Sequence, residues 1–158
     1  MNSWHSLLPF LATVIVAAYS GARFMPGAWY ETLNKPPWTP PNWVFAPAWI
    51  ILYAMIAIAG WLVWQSEGWG AALLVWVANI GFNAAWSWLM FGRRQIKTAL
   101  LDAIAMLVTI AAFILLTWKT TPLAAILFLP YLAWVAFATA LNFAILERNR
   151  AETSPPQP

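Results

Sequence analysis

Trp29-Tyr30-Glu31-Thr32-Leu33-Asn34-Lys35-Pro36-Pro37-Trp38-Thr39-Pro40-Pro41-Asn42-Trp43-Val44-Phe45-Ala46-Pro47-Ala48-Trp49 is the stretch on which the fold turns. It holds four tryptophans, one tyrosine and five prolines against one acidic and one basic residue, and it lies between two long apolar runs. A connection between membrane helices is ordinarily short and polar. This one combines stiff proline backbone with large flat side chains, which suits a lid over an aromatic pocket.

Outward from that stretch the chain is too apolar to be a water-soluble globule. Of 158 residues 63% are apolar and 8% charged, so the charged side chains cannot clothe a soluble surface. The length allows one domain. A net charge of +3 built from so few ionised groups bears on membrane orientation and gives no ground for nucleic-acid binding. With no cysteine, disulfides, thiolate metal sites and cysteine nucleophiles are excluded.

Five hydrophobic spans follow: about 4–24, 43–64, 70–91, 96–118 and 122–146, with the lid loop at 26–42 and a polar, proline-rich tail at 148–158 expected to be disordered. The first run has no basic residue before it, so it is read as a retained helix and not as a signal peptide. The runs lack the alternation of a barrel, and helices are the spanning form that satisfies its own backbone. The fold class is therefore all-α, an integral membrane bundle of five transmembrane helices. Short loops after the lid predict that successive helices are antiparallel neighbours. Small residues four apart, at Ala17 and Gly21, Ala18 and Ala22, and Ala136 and Ala140, would permit close helix approach.

Counting basic residues orients the bundle. Arg23, Lys35, Arg93, Arg94, Lys97, Arg148 and Arg150 fall on the side of the lid and C-terminus, and Lys119 alone on the other. The excess predicts a cytoplasmic lid and C-terminus with the N-terminus outside. Whether the membrane is an inner or an outer one stays open.

Of the tryptophans, Trp4, Trp29, Trp43, Trp64, Trp69 and Trp118 lie near span ends, where indoles anchor at the interface. Trp49, Trp86 and Trp134 lie deeper. Helical rise puts Trp49 about 9 Å below Trp43, Asn83 about 13 Å from the lid-side end of its helix and Ala138 about 12 Å from the end of the fifth. Tyr53 is one turn beyond Trp49. Asn79, Asn83, Asn142 and Asp102 are the polar groups within the spans and are expected to face the interior. Asp102 is read as an ion-pair partner of Lys97. Asn83 is read either as a helix-helix hydrogen bond or as a ligand contact.

No conventional catalytic constellation exists. His5 stands alone near the outer end, so no metal site is predicted, and no serine has a histidine partner. Hydrolysis, phosphoryl transfer and redox-metal chemistry lack the residues they need. The absence of inverted repeats leaves a pump-like mechanism without support.

The lid segment, together with Pro47-Ala48-Trp49 and Tyr53, resembles the first loop and second helix of the translocator protein family, also called tryptophan-rich sensory proteins or peripheral-type benzodiazepine receptors. Phe82-Asn83-Ala84-Ala85-Trp86 with Phe91-Gly92, and Pro130-Tyr131-Leu132-Ala133-Trp134-Val135-Ala136-Phe137-Ala138-Thr139-Ala140-Leu141-Asn142-Phe143, match in the same order. The resemblance spans nearly the whole chain and is closest to bacterial members. It implies a five-helix bundle, often a homodimer, whose pocket takes protoporphyrin IX or haem as ligand, benzodiazepine-site compounds and sometimes cholesterol, with no required cofactor.

Carried over, the ligand-binding residues are Tyr30, Trp38, Trp49, Tyr53, Asn83, Trp86, Trp134 and Ala138. Porphyrin propionates would reach Lys35, Arg93 or Arg94. Leu141, Asn142, Phe143 and Arg148 are the sterol-segment candidates; Phe143 stands where the sterol motif needs tyrosine, which argues against sterol binding. The resemblance leaves three activities: a receptor or sensor for porphyrins, light-dependent oxidative degradation of protoporphyrin IX at Trp49 and Trp134, or tetrapyrrole or sterol transport.

Overall fold

The structure, a computed structural model, describes residues 4–150; of the expected tail, 151–158 lie outside the described residues. A 3-10 turn at Trp4–Leu7 leads into α1 (Leu8–Arg23). The short α2 (Ala28–Thr32) follows, then a second 3-10 turn at Asn42–Val44 that runs into α3 (Phe45–Glu67). The remaining helices are α4 (Ala71–Ser87), α5 (Ile96–Thr117) and α6 (Pro122–Arg148). Five helical segments are long and apolar enough to cross a bilayer: Trp4–Arg23, Asn42–Glu67, Ala71–Gly92, Ile96–Thr117 and Pro122–Arg148. The protein is a multi-pass integral membrane protein of the all-helical class.

Local chemistry sets the helix ends. Pro122 opens α6, where its missing N–H would have no intrahelical partner anyway. Gly68, at φ +67°, ends α3 in a conformation that favours glycine, and its N–H returns to the Trp64 carbonyl over 3.0 Å. The last turn of the third span widens into a π turn at Trp88–Gly92, closed by the Arg93 N–H on the Trp88 carbonyl at 2.7 Å. Arg94 then takes a positive φ of 57°, a strained position for a residue with a side chain, and the chain reverses into α5. Pro130 inside α6 leaves the Ile126 carbonyl without its usual donor, which a helix packed among others tolerates.

Around the bundle the helices follow the order α1, α3, α6, α5, α4, with α1 and α4 closing the ring. The expectation that successive helices are neighbours holds for α4 with α5 and for α5 with α6. It fails for α3 and α4, which share little interface although only Gly68-Trp69-Gly70 joins them. A short loop constrains the two ends it connects and nothing beyond them; here α1 packs against both helices and separates them. Trp76 of α4 reaches across, donating its indole N–H to the Ile56 carbonyl of α3 over 2.9 Å. It fits because Gly60 has no side chain: a Cβ there would lie 2.6 Å from the Trp76 ring and 3.0 Å from Phe10.

The packed core fills the half of the bundle away from the lid and includes Ile56, Trp76, Ile110, Phe113 and Phe128. The Phe113 and Phe128 rings stack with centroids 4.0 Å apart. Ile15, Val16, Ile50, Leu101, Val108 and Leu115 are exposed on outer faces, the pattern of helices solvated by hydrocarbon. Of the small-residue pairs, Ala17 is buried and Ser20 donates to the Ala84 carbonyl over 2.6 Å, so that stripe lets α1 and α4 approach; Ala136 and Ala140 face outward.

Candidate functional site

The proline-rich segment folds over one end of the bundle. Tyr30 and Leu33 are buried there with Met90, Ile96, Ala99, Leu141 and Ile145. Tyr30 stands edge-on to Phe91 of the π turn at 5.4 Å, and Trp38 edge-on to Phe137 of α6 at 5.8 Å. Lys35 donates to the Tyr30 carbonyl at 3.1 Å and to Glu31 at 2.9 Å, while Asn42 donates to the other Glu31 oxygen at 3.0 Å. The Lys35 hydrogen bond, then that of Asn42, hold the Glu31 carboxyl below the usual glutamate range. Burial, with a smaller push from Glu31, raises the Tyr30 hydroxyl. Trp29 carries the Arg94 guanidinium over its ring at 5.8 Å.

Under the lid lies a cavity of about 500 Å³, within the range of small-molecule sites. All five long helices contribute to its wall. Tyr30, Trp49, Tyr53, Asn83, Trp86, Trp134 and Ala138 line it together. Trp38 does not; its ring is spent on Phe137, holding the lid from outside. The sterol-segment candidates divide: Leu141 and Asn142 line the cavity, whereas Phe143 and Arg148 are exposed on other faces of α6. His5 belongs to the turn at the far end of the bundle.

Two hydrogen-bond systems tie the cavity wall together. Tyr53 donates to the Asn83 oxygen over 2.7 Å, Asn83 donates to the Tyr131 hydroxyl over 3.0 Å, and Tyr131 donates to the Asn79 oxygen over 3.0 Å. Asn79 completes the chain on Thr109 at 2.8 Å and the Met106 carbonyl at 3.2 Å. Four helices are thereby linked across the floor of the cavity. Nearer the lid, Trp86 donates to Asn142 at 3.2 Å, and Asn142 donates to the Ile96 carbonyl at 3.1 Å. Of the two roles the sequence left to Asn83, helix-helix bonding is occupied: both ends of its amide are satisfied by protein, and it is buried.

The indole N–H groups of Trp49 and Trp134 have no hydrogen-bond acceptor among the described residues, and their rings are only partly buried. Trp49 packs at 5.3 Å from Tyr53, and Trp134 lies edge-on to Phe45 at 5.7 Å. The site therefore offers ring faces and two donors to whatever enters. No charged side chain lines it among the described residues. Lys35 is held by Tyr30 and Glu31, Arg93 lies over Trp88 and Arg94 over Trp29, so none of the three expected propionate anchors reaches the cavity wall.

Asp102 differs from its reading. It forms no ion pair with Lys97, and its Oδ2 is buried without a hydrogen-bond partner. The reason is angular: five residues turn a helix by about 140°, whereas pairs three or four apart share a face. Tyr131 was missed as a polar link, although it precedes Trp134 by one turn and Asn79 precedes Asn83 by one turn, a spacing that places each pair on one face.

Compared with known proteins, residues 6–148 match the family model described as the TspO/MBR family. The chain is 40% identical over 146 residues to the tryptophan-rich sensory protein of Cereibacter sphaeroides, covering 92% of each chain. It is 35% identical over 140 residues to the protein CrtK of Rhodobacter capsulatus, covering 86% of this chain and 88% of that one. The translocator protein of Homo sapiens is 34% identical over 154 residues, 92% of this chain and 91% of the other.

Proposed function

We propose, for a chain that belongs to the TspO/MBR family, that it is a membrane receptor holding porphyrins, protoporphyrin IX or haem, in the cavity beneath its lid. The observation that carries the reading is an uncharged cavity of about 500 Å³ lined by Trp49, Tyr53, Trp86 and Trp134. A flat macrocycle stacks on indole faces, and the Trp49 and Trp134 rings present such faces to the cavity. The propionates remain at the mouth, since nothing charged lies inside. Flat aromatic compounds of the benzodiazepine-site class suit the same walls.

Titrating the purified protein with protoporphyrin IX, followed by tryptophan quenching, tests this. Saturable binding in the wild type that is lost in Trp49→Ala and Trp134→Ala supports the reading. Unchanged affinity in both variants rejects it.

A second reading rests on the same two indoles. Trp49 and Trp134 both line the cavity, so an excited porphyrin bound there would lie against two oxidisable rings, and light with dioxygen would drive its oxidative breakdown. Illumination of the complex that bleaches porphyrin no faster than free porphyrin removes this reading. The names of several relatives speak of translocation; proteoliposome flux of a tetrapyrrole separates transport from binding.

A further inference from the structure

The side chain of Asn149 hydrogen-bonds the lid to the end of α6. Asn149, the residue after the last turn of that helix, is buried, and its amide meets the Asn34 peptide at both polar groups. The Asn34 N–H donates to Asn149 Oδ1 over 3.0 Å, and Asn149 Nδ2 donates to the Asn34 carbonyl over 3.1 Å. The same Nδ2 donates to the Ile145 carbonyl at 2.7 Å, which fixes the plane of the amide on its own helix. Residues 115 apart in sequence are thus paired as two strands would pair.

We propose that Asn149 is a positioning residue for the cavity: a two-point clamp that holds the lid shut and whose release sets how fast the cavity exchanges its contents. The other contacts described above between lid and bundle are apolar packing of Tyr30 and Leu33, the Arg94 guanidinium over Trp29, and the ring edges of Tyr30 on Phe91 and Trp38 on Phe137, all weakly directional and tolerant of sliding. The amide pair is directional and fixes register. It grips main chain, so the exposed Asn34 side chain has no part in it. Asn34 lies between the buried anchor Leu33 and Lys35, so releasing it frees the segment that roofs the cavity.

The statement about cavity contents rests on the binding reading above; the statement about the lid does not. Amide hydrogen exchange on the full chain in lipid nanodiscs tests the latter. In Asn149→Ala the amides of residues 28–39 are expected to exchange on the order of tenfold faster, as two lost hydrogen bonds would give, with the interiors of α3, α5 and α6 unchanged. Asn34→Ala is expected to leave exchange unaltered. Asn34→Pro deletes one donor without touching α6, and Leu33, at φ −69° and ψ 143°, already suits a residue preceding proline; it is expected to give a smaller acceleration in the same residues.

Lid exchange unchanged in Asn149→Ala overturns the clamp. So does acceleration spread evenly through α5 and α6, which marks a general loss of stability. With protoporphyrin IX as probe, Asn149→Ala is expected to speed dissociation by a similar factor, and an unchanged rate overturns the link from clamp to exchange of contents. If the wild type binds no porphyrin, the receptor reading falls while lid exchange still decides the clamp.

Discussion

The Tyr53 hydroxyl donates to the Asn83 side-chain oxygen over 2.7 Å, joining α3 to α4, two helices that share little interface. Beyond it stands Tyr131, whose hydroxyl accepts from Asn83 and donates to Asn79. Removing the end of this chain and removing its middle therefore differ in cost. Tyr53→Phe leaves one acceptor unpaired and is expected to destabilise by about 1 kcal/mol; Tyr131→Phe strands both Asn83 and Asn79 and is expected to cost about 2–3 kcal/mol. Thermal unfolding in detergent micelles would rank them, and equal midpoints would show that the chain is not a unit.

Gly60 is required by Trp76. In Gly60→Ala the added Cβ meets the indole at 2.6 Å, forces the ring off the Ile56 carbonyl and pushes Phe10. Overpacking of this kind is expected to cost about 1–3 kcal/mol in the same unfolding measurement, without changing which residues line the distant cavity.

Ala138 sits in the cavity wall, so its side chain sets the space left for a ligand. Ala138→Leu is expected to weaken protoporphyrin IX binding about tenfold, a penalty of about 1.4 kcal/mol, while leaving the unfolding midpoint nearly unaltered. Equal affinity in a quenching titration would place the macrocycle elsewhere.

Much of this architecture is legible in the residues. Five apolar runs bounded by prolines and charges define the helices, and counting rise brings Trp49, Asn83 and Ala138 to a similar height. The order around the ring is not legible, because Gly68-Trp69-Gly70 fixes where α3 stops and α4 starts but not which helix lies between them. Trp38 reads like its neighbours in composition, yet it packs outside the cavity, since hydropathy carries no information about which side of a loop faces in. Asn149 was invisible for a related reason: it follows the last apolar turn, in a polar segment read as tail, and only the folded chain brings Asn34 to it.

Acid should loosen the lid. Glu31 is held below the usual glutamate range by Lys35 and Asn42, so its contribution is complete above that range and is lost as pH falls through its lowered folded value. Exchange protection of residues 28–39, corrected for the intrinsic rate, is expected to fall below about pH 4, and Glu31→Gln to abolish that dependence. A wild-type lid indifferent to acid would assign the pair no role.

Orientation can be read without background labelling because the chain contains no cysteine. Thr32→Cys in the lid and Thr120→Cys between α5 and α6 are both exposed positions at opposite ends of the bundle. If seven basic residues against one orient the protein, an impermeant maleimide added to intact cells labels the second and spares the first. The reverse pattern would turn the molecule over.

Trp76, wedged against Gly60 and Phe10 and tied to Ile56, stands outside the cavity lining, in the packed half of the bundle. A guest that left the cavity through that half would have to drive this indole off its carbonyl, whereas leaving beneath the proline-rich roof would ask only that the roof lift.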